Sequence, residues 1–267
     1  MNHPLFIVNA FTDKPFGGNP AAVMPLDFWP PDEQLQALAA QNNLSETAFF
    51  VPSGELTYDL RWFTPVVEVP LCGHATLAAA HILRAEGGIS SPTVSFKTRH
   101  RGVLEAHFRK RHIMLDLPAV KFESHQVEEG IIQALGANIT GAVRPVELPW
   151  QVLYELEDEG VIASLEPDIS KLAKTVRHCV IVTARGTEYD FVSRMFGPHY
   201  GVDEDPVTGS AHCLLAPYWS KQLGKTNLTA AQLSARGGEL RCEVGLGRVI
   251  LSGQCVTYAK AEVVVSL

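Results

Sequence analysis

The sequence predicts an α+β protein built as two lobes. Three observations predict it. Runs rich in β-forming residues dominate the 267-residue chain. One long apolar helical stretch falls in each half, "GHATLAAAHIL" and "GSAHCLLAPYW". The segment leading into each helix is repeated. "YDLRWFTP" precedes "EVPLCGHA" in the first half, and "YDFVSRMFGP" precedes "EDPVTGSA" in the second. Mostly antiparallel strands with isolated helices argue for α+β lobes rather than a doubly wound sheet.

The elements follow in chain order. "LFIVNAF" (5–11) is rich in β-formers and reads as a strand. Residues 12–24, "TDKPFGGNPAAVM", read as a Pro/Gly loop running into apolar sequence. Residues 30–43 place Leu35, Leu38 and Ala39 at helical spacing behind prolines and acids, which suits a helix start. "SETAFFV" and "YDLRWF" read as strands. A helix is predicted from His74 to Glu86, stopped by Gly87-Gly88. Residues 93–118 read as a three-strand meander, with "HFRKRH" as a charged hairpin turn. A short helix over 127–136 ends at Gly136. "HCVIVTAR" and "YDFVSRMF" are strands again. The second long helix is predicted from Ser210 to Leu223, closed by Gly224, and the tail from Leu228 onward is strands.

In both copies of the repeat, Tyr-Asp is followed by Phe-x-Pro, then Glu-x-Pro-x-x-Gly, then a helix. Phe63 to Gly73 is ten residues, and Phe196 to Gly209 is thirteen. The second copy therefore carries three extra loop residues. A duplicated lobe follows, with 1–118 as the N-terminal lobe and 119–267 as the C-terminal one. Part of the C-terminal strand tail is allowed to swap into the first lobe.

A net charge of −7 excludes a general nucleic-acid surface. No apolar run reaches the roughly 20 residues a membrane span needs. The five cysteines are odd in number and show no CxxC spacing, which fits reduced thiols in the cytoplasm. "MNHPLFIVNAFTD" lacks the basic start and long apolar core of a signal peptide.

The candidate chemistry sits at the two helix entrances. A helix N-terminus presents unpaired N–H groups and the positive dipole end, and so holds anions. Gly73 and Gly209 let backbone approach a ligand closely. Cys72 and His74 stand beside one, and Asp205, Thr208 and Ser210 beside the other. Capping alone would explain Thr208 and Ser210, but it would not explain Cys72 with His74. Glu46, in "NNLSETAFF" before an apolar strand, is placed for partial desolvation, which raises a carboxyl pKa and suits acid/base work. A surface carboxylate at a strand start is the alternative. Asn19 in "GGNPAAV" reads locally as an Asn-Pro turn. His199, His212, Asp203 and Glu204 lack any metal-binding spacing, so no metal site is predicted.

The stretches "VNAFTDKPFGGNPAAV", "NLSETAFF", "CGHATLAAAHIL", "DEDPVTGSA" and "SARGGEL" together resemble the PhzF family of phenazine-biosynthesis isomerases over nearly the full chain. The resemblance implies a diaminopimelate-epimerase-like fold, two pseudo-symmetric lobes each wrapping a barrel-like sheet round a central helix. It implies an active site in the cleft between them. It implies a cofactor-independent proton shift on a small carboxylic acid, no metal, and a homodimer. Glu46 takes the family's acid/base position, with His74 and Asp205 orienting the substrate, so the three are expected on one cleft. Ser210, Asn19 and the backbone near Gly73 and Gly209 would bind substrate.

Cys72 and Thr208 stand where the wider superfamily places its pair of acid/base thiols. Cys72 is therefore either a working thiol, lowered in pKa by the helix N-terminus, or a packing residue. A Cys72-dependent epimerase or dehydratase of an amino or imino acid is the first alternative function. A non-catalytic small-ligand-binding or scaffold protein is the second.

Overall fold

The computed structural model describes residues 3–146 and 150–265. The chain divides into two compact units, one formed by Met1–Asp116 with Ser252–Leu267, the other by Leu117–Leu251. Among the described residues no helix is long and apolar enough to cross a membrane.

In the first unit β1 (His3–Ala10) pairs antiparallel with β2 (Asn19–Pro25). Helix α1 (Asp32–Asn42) then crosses over to β3 (Glu46–Gly54), which runs parallel to β2. β4 (Thr57–Phe63) returns as a hairpin, and the two-residue β5 (Glu68–Val69) folds back on its end. Helix α2 (Gly73–Ala85) is the second crossover, leading to β6 (Thr93–Thr98) parallel to β4. β7 (Gly102–Arg109) and β8 (His112–Pro118) complete the meander. The charged stretch is indeed its hairpin turn, with Lys110 at positive φ.

The second unit opens with β9 (Phe122–Ser124), α3 (Glu129–Leu135), and the pair β10 (Ile139–Pro145) and β11 (Gln151–Leu156). Two short helices, α4 (Glu159–Ala163) and α5 (Ile169–Thr175), cross to β12 (Cys179–Arg185), parallel to β11. β13 (Phe191–Gly197) is its hairpin partner, and β14 (Val202–Asp205) folds back on β13. Helix α6 (Gly209–Leu223) crosses to β15 (Asn227–Gln232), parallel to β13, followed by β16 (Gly238–Val244) and β17 (Arg248–Gly253). The last strand, β18 (Cys255–Val263), belongs to the first unit and pairs antiparallel with β1.

The same wiring thus occurs twice, as β2-α1-β3-β4-β5-α2-β6 and as β11-α4/α5-β12-β13-β14-α6-β15. Register fixes the equivalences. Val69 pairs with Trp62, and Asp205 pairs with Met195. Counting from there, Cys72 matches Thr208, Gly73 matches Gly209, and His74 matches Ser210. The three extra residues of the second copy sit at a 3-10 turn, Pro198–Tyr200.

Helix α2 buries residues on every side, Gly73 through Ala80 together with Ile82 and Leu83. A helix apolar all round must be enclosed, and its alanines let strands approach closely. Helix α6 is buried in the same way despite Pro217 in its interior. Proline supplies no N–H for the carbonyl four residues earlier. That carbonyl, on Cys213, accepts instead from Val120 N–H at 2.9 Å. The crossover helices cover the opposite sheet faces. Leu35, Leu38 and Ala39 of α1 pack on Met24, Phe49 and Phe63. Ile162 of α4 and Leu172 of α5 pack on Val180, Val182 and Val192.

One expected loop is corrected. Residues 19–25 form β2, because "PAAVM" lies buried between two strands, and burial overrides the local Pro/Gly signal.

Candidate active site

In the first unit the parallel pairing of β2 with β3 aligns Ala21 with Glu46, so both strands begin at the same end of the sheet. That end carries Asn19, Ser45 and Glu46. Gly18 makes the approach possible. It sits at φ +69°, and a Cβ there would lie 2.2 Å from the carbonyl oxygen of Ala10. Helix α2 begins here too, with Cys72 as its extended N-cap and His74 in its first turn. The Cys72 side chain makes no capping hydrogen bond. Thr76 Oγ1 donates to the Cys72 carbonyl at 2.6 Å, stitching the first turn.

His74 is 5% exposed. Burial pushes its pKa down to about 3, so the imidazole is neutral at ordinary pH. Its tautomer follows from its neighbours. Ser45 Oγ donates to Asn19 Oδ1 at 3.0 Å, which turns the Asn19 amide nitrogen toward His74 Nδ1 at 3.3 Å. Cys72 Sγ lies 3.4 Å from the same nitrogen. Both neighbours are donors, so Nδ1 is the acceptor and Nε2 carries the proton. Nε2 lies 3.2 Å from Glu46 Oε2. The Nε2 proton faces Ser45 Oγ at 3.5 Å, and the Glu46 carboxylate lies beside the ring as a close polar contact rather than an ion pair, since the burial that neutralises His74 removes the charge an ion pair would need. Glu46 keeps 18% of its side chain exposed. A ligand can therefore reach the carboxylate from the side away from the imidazole.

In the second unit the equivalent entrance is built differently. Thr208 is the N-cap of α6 in position only, because its side chain makes no capping bond. Its hydroxyl donates instead to Asp205 Oδ2. Gln232, 1% exposed at the end of β15, brackets the turn. Its Oε1 accepts from Thr208 N–H at 2.9 Å, and its Nε2 donates to the Asp205 carbonyl at 2.7 Å and to Thr208 Oγ1 at 3.2 Å. With Oγ1 already accepting from Gln232, its proton is directed at the Asp205 carboxylate. Ser210 lies partly exposed in the first turn of α6. His212 repeats the role of Thr76, its Nδ1 donating to the Thr208 carbonyl at 2.8 Å.

The model of the phenazine biosynthesis-like protein family matches residues 8–261. This chain is a member of the PhzF family. A Pseudomonas aeruginosa relative named as an uncharacterized isomerase is 48% identical, over 97% of each chain. The crystal structure of a PhzF-family protein from Enterococcus faecalis superposes with a TM-score of 0.94 at 43% identity, covering 99% of this chain and 100% of that one. A probable proline racemase from Agrobacterium radiobacter shares the fold alone, with a TM-score of 0.62 at 11% identity over 99% and 93% of the two chains. The fold is therefore the two-lobed epimerase-like one, in the form that PhzF proteins take.

Glu46, His74, Cys72 and Asn19 form one cluster, and Asp205 with Thr208 forms a second. Asn19 is not in a turn. It is fully buried at the start of β2, because its amide is held between Ser45 and His74. Glu46, Cys72 and His74 offer ligand atoms within 4.8 Å of one another, a group that could hold a metal ion. Cys72 and Glu46, however, approach different ring nitrogens, and one ion could collect all three only by breaking up this arrangement. Of the four residues weighed earlier for a metal, Glu204 is engaged by Arg194 and His212 is bonded to backbone. Sequence reasoning singled out neither Ser45 nor Gln232. "AAQLSARGG" carries no local mark of a buried glutamine.

Proposed function

We propose that this PhzF protein is an isomerase that moves a proton on a small carboxylic acid, with Glu46 as the acid/base. The observation that carries the reading is the partly exposed Glu46 carboxylate set with Oε2 3.2 Å from Nε2 of a buried, neutral His74. Such a carboxylate can accept a proton from carbon and return it at another position of the same molecule, so atoms and charge balance without a co-reactant. His74 stabilises the ionised form and fixes its direction. Asp205, backed by Thr208, orients the substrate. The first N–H groups of α2 at Gly73, and those of α6 at Gly209 with Ser210, are each built to take a carboxylate or a developing negative charge.

The test is incubation with a panel of small unsaturated and amino-substituted carboxylic acids in deuterated water. Mass spectrometry reads deuterium on carbon. Wild type should label at least one acid, and Glu46→Gln should slow that labelling by about three orders of magnitude, roughly 4 kcal/mol of barrier, while binding persists. Near-normal labelling by Glu46→Gln would falsify the mechanism.

One contact favours a second reading. Cys72 Sγ touches His74 Nδ1, so a thiol flanks the ring on the side away from Glu46. An epimerase would use that thiol as its second proton port. Cys72→Ala decides: retained turnover assigns Cys72 to packing, and a loss as large as that of Glu46→Gln assigns it to proton transfer.

A further inference from the structure

The repeated sequence contains two arginines that the proposed chemistry does not use. Arg61 on β4 grips Glu68 on β5 with two bonds, Nε to Oε1 at 2.8 Å and Nη2 to Oε2 at 2.7 Å. Arg194 on β13 grips Glu204 on β14 in the same way, Nε to Oε1 at 2.7 Å and Nη2 to Oε2 at 3.0 Å. Each guanidinium also lies over the phenylalanine two residues on, Phe63 at 4.9 Å and Phe196 at 5.1 Å. Each sends its third arm to the crossover helix of its own unit. Arg61 Nη1 reaches Asp32 in the first turn of α1 at 2.8 Å. Arg194 Nη1 reaches the carbonyls of Ile162 and Leu165, at the end of α4 and just beyond it, at 3.2 and 2.6 Å. Arg61 and Arg194 are 5% and 12% exposed, so neither charge is a solvated ornament. A flat, five-donor group is what such a three-way junction needs, and lysine cannot replace it.

The glutamates belong to the short strands that deliver the helix entrances. Cys72 is the fourth residue after Glu68, and Thr208 is the fourth after Glu204. We infer that Arg61–Glu68 and Arg194–Glu204 are duplicated clamps that set the two helix entrances, making all four positioning residues for the proposed reaction. The bidentate grip fixes β5 and β14 against the hairpin strand. From there the backbone has only Pro-x before the residue that precedes each catalytic helix. A loosened clamp lets Cys72 and His74 leave Glu46, and lets Thr208 leave Asp205. The positioning of the entrances stands on its own geometry, and only its catalytic meaning rests on the isomerase reading.

The experiment needs no substrate. The full chain is treated with iodoacetamide, and alkylation of each cysteine is timed by peptide mass spectrometry. Glu68→Gln keeps the shape and removes the charge. It should speed alkylation of Cys72 by about tenfold or more, the scale of a lost charge-assisted hydrogen bond. Cys179, Cys213 and Cys242, all buried, should keep their wild-type rates. Glu204→Gln should instead speed amide exchange across 203–212 and leave Cys72 unchanged. Arg61→Lys and Arg194→Lys should reproduce both results, and they serve if a glutamine variant does not fold. Uniform acceleration of all buried thiols would mean general destabilisation, and that outcome or an unchanged Cys72 overturns the inference. If the alkylation result holds while no acid is labelled in deuterated water, the clamps stand and the isomerase reading falls.

Discussion

His74 and His212 are both buried imidazoles, yet they do different things. His74 sets Nδ1 against Asn19 and Cys72 and Nε2 against Ser45 and Glu46. His212 replaces a threonine of the first copy and serves the backbone. Both have pKa values depressed by burial, to about 3 and about 4. The unfolded chain would take up their protons near pH 6.5, and the folded one takes them up only near those lower values. The unfolded state therefore binds more protons between the two limits, and stability falls as the pH drops through that window. Above pH 6.5 their full contribution is present. Each should contribute a slope of about 1.4 kcal/mol per pH unit. Urea midpoints at pH 6.0, 5.25 and 4.5 should show His212→Gln, which can still donate to the Thr208 carbonyl, losing about that much slope. An unchanged slope would mean that His212 is charged in the folded protein. Glu46 was expected beside His74 from the family resemblance; locally it read equally well as a surface carboxylate at a strand start, and the parallel register of β2 and β3 is what brings it to the α2 entrance. Arg61 and Arg194 stood inside the repeat, but only register reveals that they meet the glutamates.

At the scale of elements, the two long helices were legible because their apolar residues leave no polar face. The short helices α4 and α5 were not. Their only local signals are single N-caps, Asp158 accepting from Val161 N–H and Asp168 from Lys171 N–H. Helices of five and seven residues gain too little from such caps to form alone, and tertiary packing decides them. The start of β2 was hidden for the opposite reason, since its "GGNP" looks like a turn while Gly18 is there to let the strand begin. Gly18→Ala forces a side chain into a left-handed backbone and against the Ala10 carbonyl. It should cost at least about 2 kcal/mol. It should also dislodge Asn19, so the His74 ring nitrogens should lose their distinct tautomeric 15N shifts. A Gly18→Ala protein with wild-type stability and shifts would show that Asn19 does not depend on that turn.

For the whole molecule, the repeat in the sequence announced the repeat in the wiring, down to the three extra residues now seen at the 3-10 turn. The sequence allowed part of the C-terminal strand tail to swap into the first lobe, but no pattern announced which strand closes each sheet, because partner choice depends on long-range packing rather than on local residues. The pairing of β18 with β1, in register from His3↔Val263 to Ala10↔Cys255 apart from one bulge, joins the two ends of the chain. This has a consequence in time. During synthesis the second unit, Leu117–Leu251, is complete before the first, whose final strand β18 follows it in the sequence. Until then β1 waits with an open ladder edge, a template for pairing with other chains. Nascent chains stalled after Leu251 should therefore show protease resistance in 117–251 but cleavage within 1–116, and release of the stall should protect both. Equal protection of 1–116 before β18 emerges would show that the first sheet closes without it.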